Sequence, residues 1–339
     1  MALSCESGRV TDSLLNCSDW GPPRPAAVGP LVVAEGAAWA ITDPAGEHLF
    51  YRSGAGIYVK RVATGEERSL DLAENVYMFL GGVDGGRLVA FYSDRSVGFE
   101  DYVLIDALSC TWRSLGINVS TTDPTIGYTQ VSAMSLGADR LFYAIGRGTL
   151  EPSQEFLLDL SDGTRLVADA SAQLVSEARL EGNRAVWLQQ KHPGAAPGVV
   201  SWSYLDGSVL SIDLPSNASP AGLSVSGDRA VWTDSRQVYT APPDTNIFML
   251  DLVSGTVTQL TFDRGTQDEP SILGHLVAWS DGASGNFDIR VLDLDTGEER
   301  VVAGTPENER LPVLTAAGIF WQVPGANGAT VWFDASVHP

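Results

Sequence analysis

Positive charge is what this chain lacks most: 21 Lys and Arg stand against 42 Asp and Glu, a formal net charge of −21 over 339 residues. A field of that sign repels nucleic acid and anionic lipid, because phosphate neutralisation needs clustered Lys and Arg. It attracts cations and basic partners. Long apolar runs are also missing. No stretch approaches the roughly 18 apolar residues of a spanning helix, so no transmembrane segment is expected. The first residues, "MALSCESGRVTD", have neither a basic region nor an apolar region of the kind that makes a signal peptide. That fits a cytoplasmic protein or a mature exported one.

Histidine and cysteine are scarce. His48, His192, His275 and His338 are scattered, none with a partner at metal-ligand spacing, and no Cys-x-x-Cys occurs, so a zinc site is not expected. Of three cysteines, Cys5 and Cys17 bracket a short loop and form the candidate disulfide, which implies an oxidising compartment. "ALSC" (residues 2–5) alternatively matches the end of a lipoprotein leader, with Cys5 carrying the lipid. A sustained helical period is absent as well, which excludes a parallel α/β fold.

What the chain has is a repeat. "GHLVAWSD" (residues 274–281), a turn glycine followed by an apolar run ending in an aromatic, has relatives in "GDRAVWTD" (227–234), "GNRAVWLQ" (182–189), "GADRLFYA" (137–144) and "GRLVAFYSD" (86–94). Shortened versions are "GAAWAITD" (36–43) and "GIFWQ" (318–322). The aromatic positions, Trp39, Phe91, Phe142, Trp187, Trp232, Trp279 and Trp321, recur every 42 to 52 residues. A second element follows each, as in "NIFMLDLVSGTVTQLT" (246–261) and "FDIRVLDLDTGEERVV" (287–302). It reads strand, turn, strand, with Asp159, Asp251 and Asp293 binding turn amides and a glycine free to take positive φ. "DLDTGE" lacks the remaining ligands of a calcium loop, so the hairpin reading prevails.

Four strands per unit at this period is the pattern of a β-propeller. The expectation is an all-β propeller of four-stranded antiparallel blades, seven of them, with six and an irregular closure as the alternative. One such sheet cannot cover its own faces, but sheets stacked radially bury each face on a neighbour, and the recurrent aromatics fill the wedges. The domain division is an N-terminal segment (1–30) that closes or covers the ring and one propeller domain (31–339). Residues 8–20 are expected to supply the strand missing from the last unit or to pack across that junction, because an open edge invites aggregation.

From residue 245 to residue 297 the chain resembles the TolB-like propeller repeats of bacterial and archaeal secreted and surface proteins, in which "P-x-I-x-G-x-x-V-x-W-x-D" alternates with "G-N-x-D-I-Y-x-Y-D-L-x-T-G". The likeness is recognisable from residue 182 and degenerate before it. It implies a secreted, periplasmic or surface location and binding of a protein or ligand, with no shared catalytic residue to carry over.

Blade connections and second-to-third turns emerge on one face of a propeller. This collects Asp94, Asp234, Asp268, Glu269, Asp281, Asp288, Glu307 and Glu309 as candidate binding residues, with Asp43, Asp101 and Asp244 among the turns. Such an acidic face suits Ca²⁺, a basic protein or peptide, or a glycan, while the bland reading of each Asp is a turn cap. No Ser/His/Asp arrangement, nucleophile elbow or phosphate loop stands out. The sequence thus points to a non-catalytic binding or scaffold propeller. The alternative is a carbohydrate-active hydrolase or lyase using carboxylates at the channel mouth; self-assembly is a third. The insertion "SRQVYTAPPDT" (235–245), with Tyr239, is a candidate partner-contact loop.

Overall fold

In the computed structural model the described residues are 15–23, 30–54, 56–72, 76–94, 99–117, 129–147, 151–168, 174–191, 194–237 and 244–338. Cys5, Tyr239 and most of residues 1–30 lie outside them. The described residues form strands and turns with no helix. Five four-stranded antiparallel sheets each run in simple order, covering residues 76–114, 129–168, 174–213, 220–259 and 267–303. A sixth sheet of eight strands is two blades joined edge to edge. The molecule is a seven-bladed propeller.

The join explains closure. Strand Leu31–Thr42 is long because it serves two blades. Its first half pairs Leu31 to Ala37 with the last strand, Ala329–Asp334, and so becomes the outer strand of blade 7. Its second half pairs Ala37 to Thr42 with His48–Ser53 and becomes the inner strand of blade 1. The changeover sits at Gly36, whose φ of 65° only glycine adopts readily. Residues 31–37 therefore complete the last blade. The described end of the N-terminal segment goes elsewhere: Leu15–Cys17 pairs with Glu67–Leu72 as a fifth, outermost strand of blade 1.

The segment is fastened there by chemistry that corrects the expected cysteine pairing. Cys17 is bonded to Cys110, in the third-to-fourth turn of blade 2, and not to Cys5. Cys110 occupies, at φ 55°, the turn position that Gly65, Gly163, Gly207, Gly255 and Gly297 hold in other blades. The pairing follows from topology, since the outer edge of blade 1 faces the outer hairpin of blade 2. Trp20 adds to it, lying under Arg61 and Arg68 at 4.0 and 4.8 Å.

Seven apolar clusters fill the seams, each built from two adjacent blades. Trp187 packs on blade 3, Trp232 on blade 4, Trp279 on blade 5 and Trp321 on blade 6. The pairing registers correct the wedge positions of the first three blades. Tyr51, Ala90 and Tyr143 face the preceding blade there. Phe142 and Phe91 face the following one, and Trp39 lies half-buried in the inner strand of blade 1. "GAAWAITD" imitates a second strand, but the true second strand of blade 1 starts after the turn at Asp43. The hairpin aspartates behave as read: Asp159, Asp251 and Asp293 each accept backbone amides two or three residues on.

Candidate functional site: the loop face and the channel

The first strands of successive blades stand against one another around the axis. Their contact uses a recurring bond in which a side chain of one inner strand caps an amide of the next. Ser135 Oγ accepts from Leu180 N at 2.9 Å, Ser224 Oγ from Ile272 N at 3.1 Å and Ser271 Oγ from Leu314 N at 2.9 Å. Glu177 takes two such amides, Gly222 N at 2.9 Å and Leu223 N at 2.8 Å. Inner strands cannot pair with each other as a sheet, so these caps satisfy amides that would otherwise be buried unbonded.

Each inner strand of blades 3 to 7 also carries a bulge near its loop-side end. In blades 5, 6 and 7 the bulge holds a residue with positive φ: Gly222 (67°), Glu269 (56°) and Leu311 (55°). Glu269 and Leu311 each precede a proline, which further restricts the backbone. A non-glycine residue there costs on the order of 1 kcal/mol or more. Bulges of this kind re-aim side chains, and these border a cavity of about 380 Å³ on the axis, lined by inner strands of all seven blades.

At the loop end, blades 6 and 7 form one polar node. Glu269 accepts from Arg310 through Nε at 3.0 Å and Nη2 at 2.7 Å, from Leu311 N at 2.7 Å and from Ser280 Oγ at 2.8 Å. Burial pushes its carboxyl up, but the bonds from Arg310, Ser280 and Leu311 outweigh burial and hold it below the usual carboxylate range. Arg310 lies over Phe287 at 3.9 Å and reaches Asp268 at 3.6 Å. Asp281, 3% exposed, takes Ala283 N, Gln267 Nε2 and the Arg290 guanidinium, the last at 2.6 Å. Asn286 ties the loops together, donating to Asp288 at 3.1 Å and to the carbonyls of Thr305 and Glu307 at 2.8 Å.

The expected site residues thus divide. Asp268, Glu269, Asp281, Asp288, Glu307 and Glu309 come together on the loops of blades 6 and 7. Asp234 lies apart in blade 5, fully buried and capping Ser219 N at 2.8 Å. Asp94 ends the second strand of blade 2, its side chain outside the described residues. Asp101 is a buried cap for Tyr102 N and Ile117 N. Asp43 belongs to a first-to-second turn, on the opposite end of blade 1, where it holds Glu47 N, His48 N and His48 Nδ1. Glu309, 1% exposed, accepts from Thr305 N and Oγ1. Glu307 is exposed.

Three residues outside the sequence-derived set shape the site. Arg310 locks Glu269, Glu177 spans the blade 4–5 seam, and Arg179 lines the channel. The "DEP" and "RLP" that end the last two blade connections are the sequence trace of the matching bulges. A calcium ion needs six or more oxygen ligands. Here Arg310 and Arg290 already occupy the carboxylates that would supply them, and among the described residues no three His, Cys, Asp or Glu side chains are grouped to hold a metal. The donor set does not fit the ion.

No family model matches the chain, and no curated protein matches it by sequence. Solved structures do. An oligogalacturonate lyase in complex with manganese superposes with a TM-score of 0.64 at 11% identity, covering 95% of this chain and 96% of that one. The β-propeller domain of the Trilobed protease from Pyrococcus furiosus, described as having an open velcro topology, gives 0.61 at 12% identity over 87% and 95%. A TolB structure from Agrobacterium tumefaciens is also similar, at 0.45 and 15% identity over 67% and 80%. At 11 and 12% identity the likeness to the first two is one of fold alone: the chain is a β-propeller.

Proposed function

We propose that the protein is a non-catalytic binding propeller that works outside the cytoplasm and engages a basic protein or peptide through the acidic loop face of blades 6 and 7. One observation carries the reading. Six carboxylates gather on that face, against the two guanidiniums of Arg290 and Arg310, and the buried ones are consumed in structural bonds. A carboxylate holding backbone amides or a bidentate arginine is not free to shuttle protons, but its charge still contributes to the field that steers a partner. Exposed Glu307, with exposed Phe262 and Asp263 of the connection that leads from blade 5 into blade 6, supplies the contact surface. The Cys17–Cys110 disulfide supports a location outside the cytoplasm.

The competing reading is a carbohydrate-active lyase or hydrolase, the activity named for the oligogalacturonate lyase above. One experiment separates the two. Binding of a fluorescent oligolysine is followed by anisotropy, and polygalacturonate is incubated with the protein and assayed for cleavage. Saturable oligolysine binding that weakens with salt and in Glu307→Lys and Asp263→Lys is the expected result. Cleavage of polygalacturonate overturns the non-catalytic reading, and oligolysine binding unaffected by either charge reversal overturns the assigned face.

A further inference from the structure

The channel has a feature that the loop face does not use. Arg179, on inner strand Leu174–Glu181 of blade 4, is the sole cation among the described residues that line the cavity. Its Nη1 donates to the carbonyl of its own neighbour, Ala178, at 2.8 Å; among the described residues no ion pair joins it to a carboxylate, and Glu177 acts on it only through its field. Glu177, two residues back and therefore on the same face of the strand, has both carboxylate oxygens spent on Gly222 N and Leu223 N. The carboxylates that line the cavity are committed as well: Asp43 to His48, Glu181 to Gly227 N, Glu269 to Arg310. A guanidinium carries five N–H donors. Most of these are left facing a cavity whose remaining walls are largely apolar, among them Ile41, Leu136, Leu223 and Ile272.

A half-buried cation with donors to spare, in a largely apolar channel cavity of about 380 Å³, is a receptor for an anion. The planar fork matches a carboxylate, and the walls match an apolar body. The geometry points to the axial channel as a binding site for a small organic carboxylate, its carboxylate held by Arg179 and its apolar part by the inner-strand side chains. This goes beyond the loop-face reading and uses different residues.

The probe is 3-phenylpropionate, compared by calorimetric titration with its neutral amide, 3-phenylpropionamide, and with inorganic phosphate. The wild-type protein is expected to bind 3-phenylpropionate saturably at one site, with the amide roughly tenfold or more weaker, since a charge-assisted bond contributes about one such factor. Arg179→Met should lose the acid by a similar factor while keeping the wild-type unfolding midpoint within a few degrees, and Arg179→Lys should fall between. Absence of binding by 3-phenylpropionate, equal binding of the amide, or unchanged binding in Arg179→Met overturns the proposal. Tighter binding of phosphate overturns the carboxylate assignment. Should Arg179→Met prove unfolded, the comparison between acid and amide on wild-type protein decides alone. Glu307→Lys is expected to leave 3-phenylpropionate binding untouched, so failure at the loop face and failure in the channel are read separately.

Discussion

In the seams entered by blades 4, 5 and 6, the second strand presents a tryptophan to the blade before it, and Trp187, Trp232 and Trp279 are each no more than 1% exposed. In the seams entered by blades 1, 2 and 3 the same position holds Tyr51, Ala90 and Tyr143. The half that keeps the repeat is joined by indole rings, as where Trp187 stacks on Phe142 across the seam at 5.3 Å. The half that drifts is joined by particular bonds. Cys17–Cys110 ties the outer edge of blade 1 to blade 2. Buried Lys60 donates to Val33 O at 2.6 Å and pairs with Glu67 at 3.0 Å, tying the closing strand to blade 1. At the seams that lack the indole, covalent and charged fastening is added to the apolar packing. The stability of the ring is therefore uneven in kind, and substitutions should show it.

The largest effect is expected from the wedge. Trp232→Ala removes a fully buried indole from the blade 4–5 seam and should cost about 3–5 kcal/mol by denaturant titration. Next is the disulfide. It closes a span of 93 residues, for which the chain-entropy account gives on the order of 4 kcal/mol, a figure that native strain and residual unfolded structure reduce. Reduction or Cys110→Ser should lower the unfolding midpoint by several degrees and expose the amides of residues 15–17 and 67–72 to hydrogen exchange, while blades 5 and 6 keep their protection. Cys110→Gly restores the residue that other blades use at that positive φ, so it should be less damaging than Cys110→Ser. If the two variants are alike, the bond and not the turn conformation sets the cost. Smaller again is Gly328→Ala at the closure. A Cβ there would lie 2.6 Å from the backbone of Gly36, at a residue whose φ is 111°, so a loss of about 1–3 kcal/mol is expected.

The propeller was legible because its signals are periodic: turn glycines, apolar runs and Asp-x-x-x-Gly hairpins repeat often enough to survive local drift. The disulfide was legible in principle through one substitution, the cysteine of "DALSC" standing where other hairpins have glycine, but proximity in the chain favoured Cys5. Trp39 misled because an inner strand that also closes the ring shows the same apolar run as a second strand. That the carboxylates of blades 6 and 7 fall on or beside the blade connections follows from the repeat. Their commitments were not legible, because whether Asp281 or Glu269 is free depends on Arg290 and Arg310, and those contacts are set by bulges and registers that no composition reveals. Arg179 was invisible for the same reason: on a strand it reads as one more exposed charge, and only the ring turns it inward.

The subtlest test of the comparison is Glu155, on the third strand of blade 3 and fully buried beside the blade 3–4 seam. One carboxylate oxygen accepts from Ser153 Oγ at 2.8 Å, and the other has no partner. Burial dominates and pushes its pKa from 4.5 to about 7, against the smaller pull of Ser153. The sign of the linkage follows from the raised folded value. Below about pH 4.5 the group is neutral in both states and costs nothing. Between about 4.5 and 7 the unfolded chain releases the proton that the folded protein keeps, so stability falls as pH rises, and above about 7 the penalty is constant. Glu155→Gln, neutral throughout, should equal wild type near pH 4.5, gain on it steadily to about pH 7 and then hold a constant lead of about 1 kcal/mol or more. The two curves must be compared as a difference, because a net charge of −21 gives the whole protein its own pH dependence. A difference that stays flat from pH 4.5 to 8 would show that the seam between the drifting and the regular halves admits enough water to ionise Glu155 without penalty. Blade 3 would then belong with the loosely wedged blades on both of its faces, despite Phe142 and Trp187 stacking across that same seam.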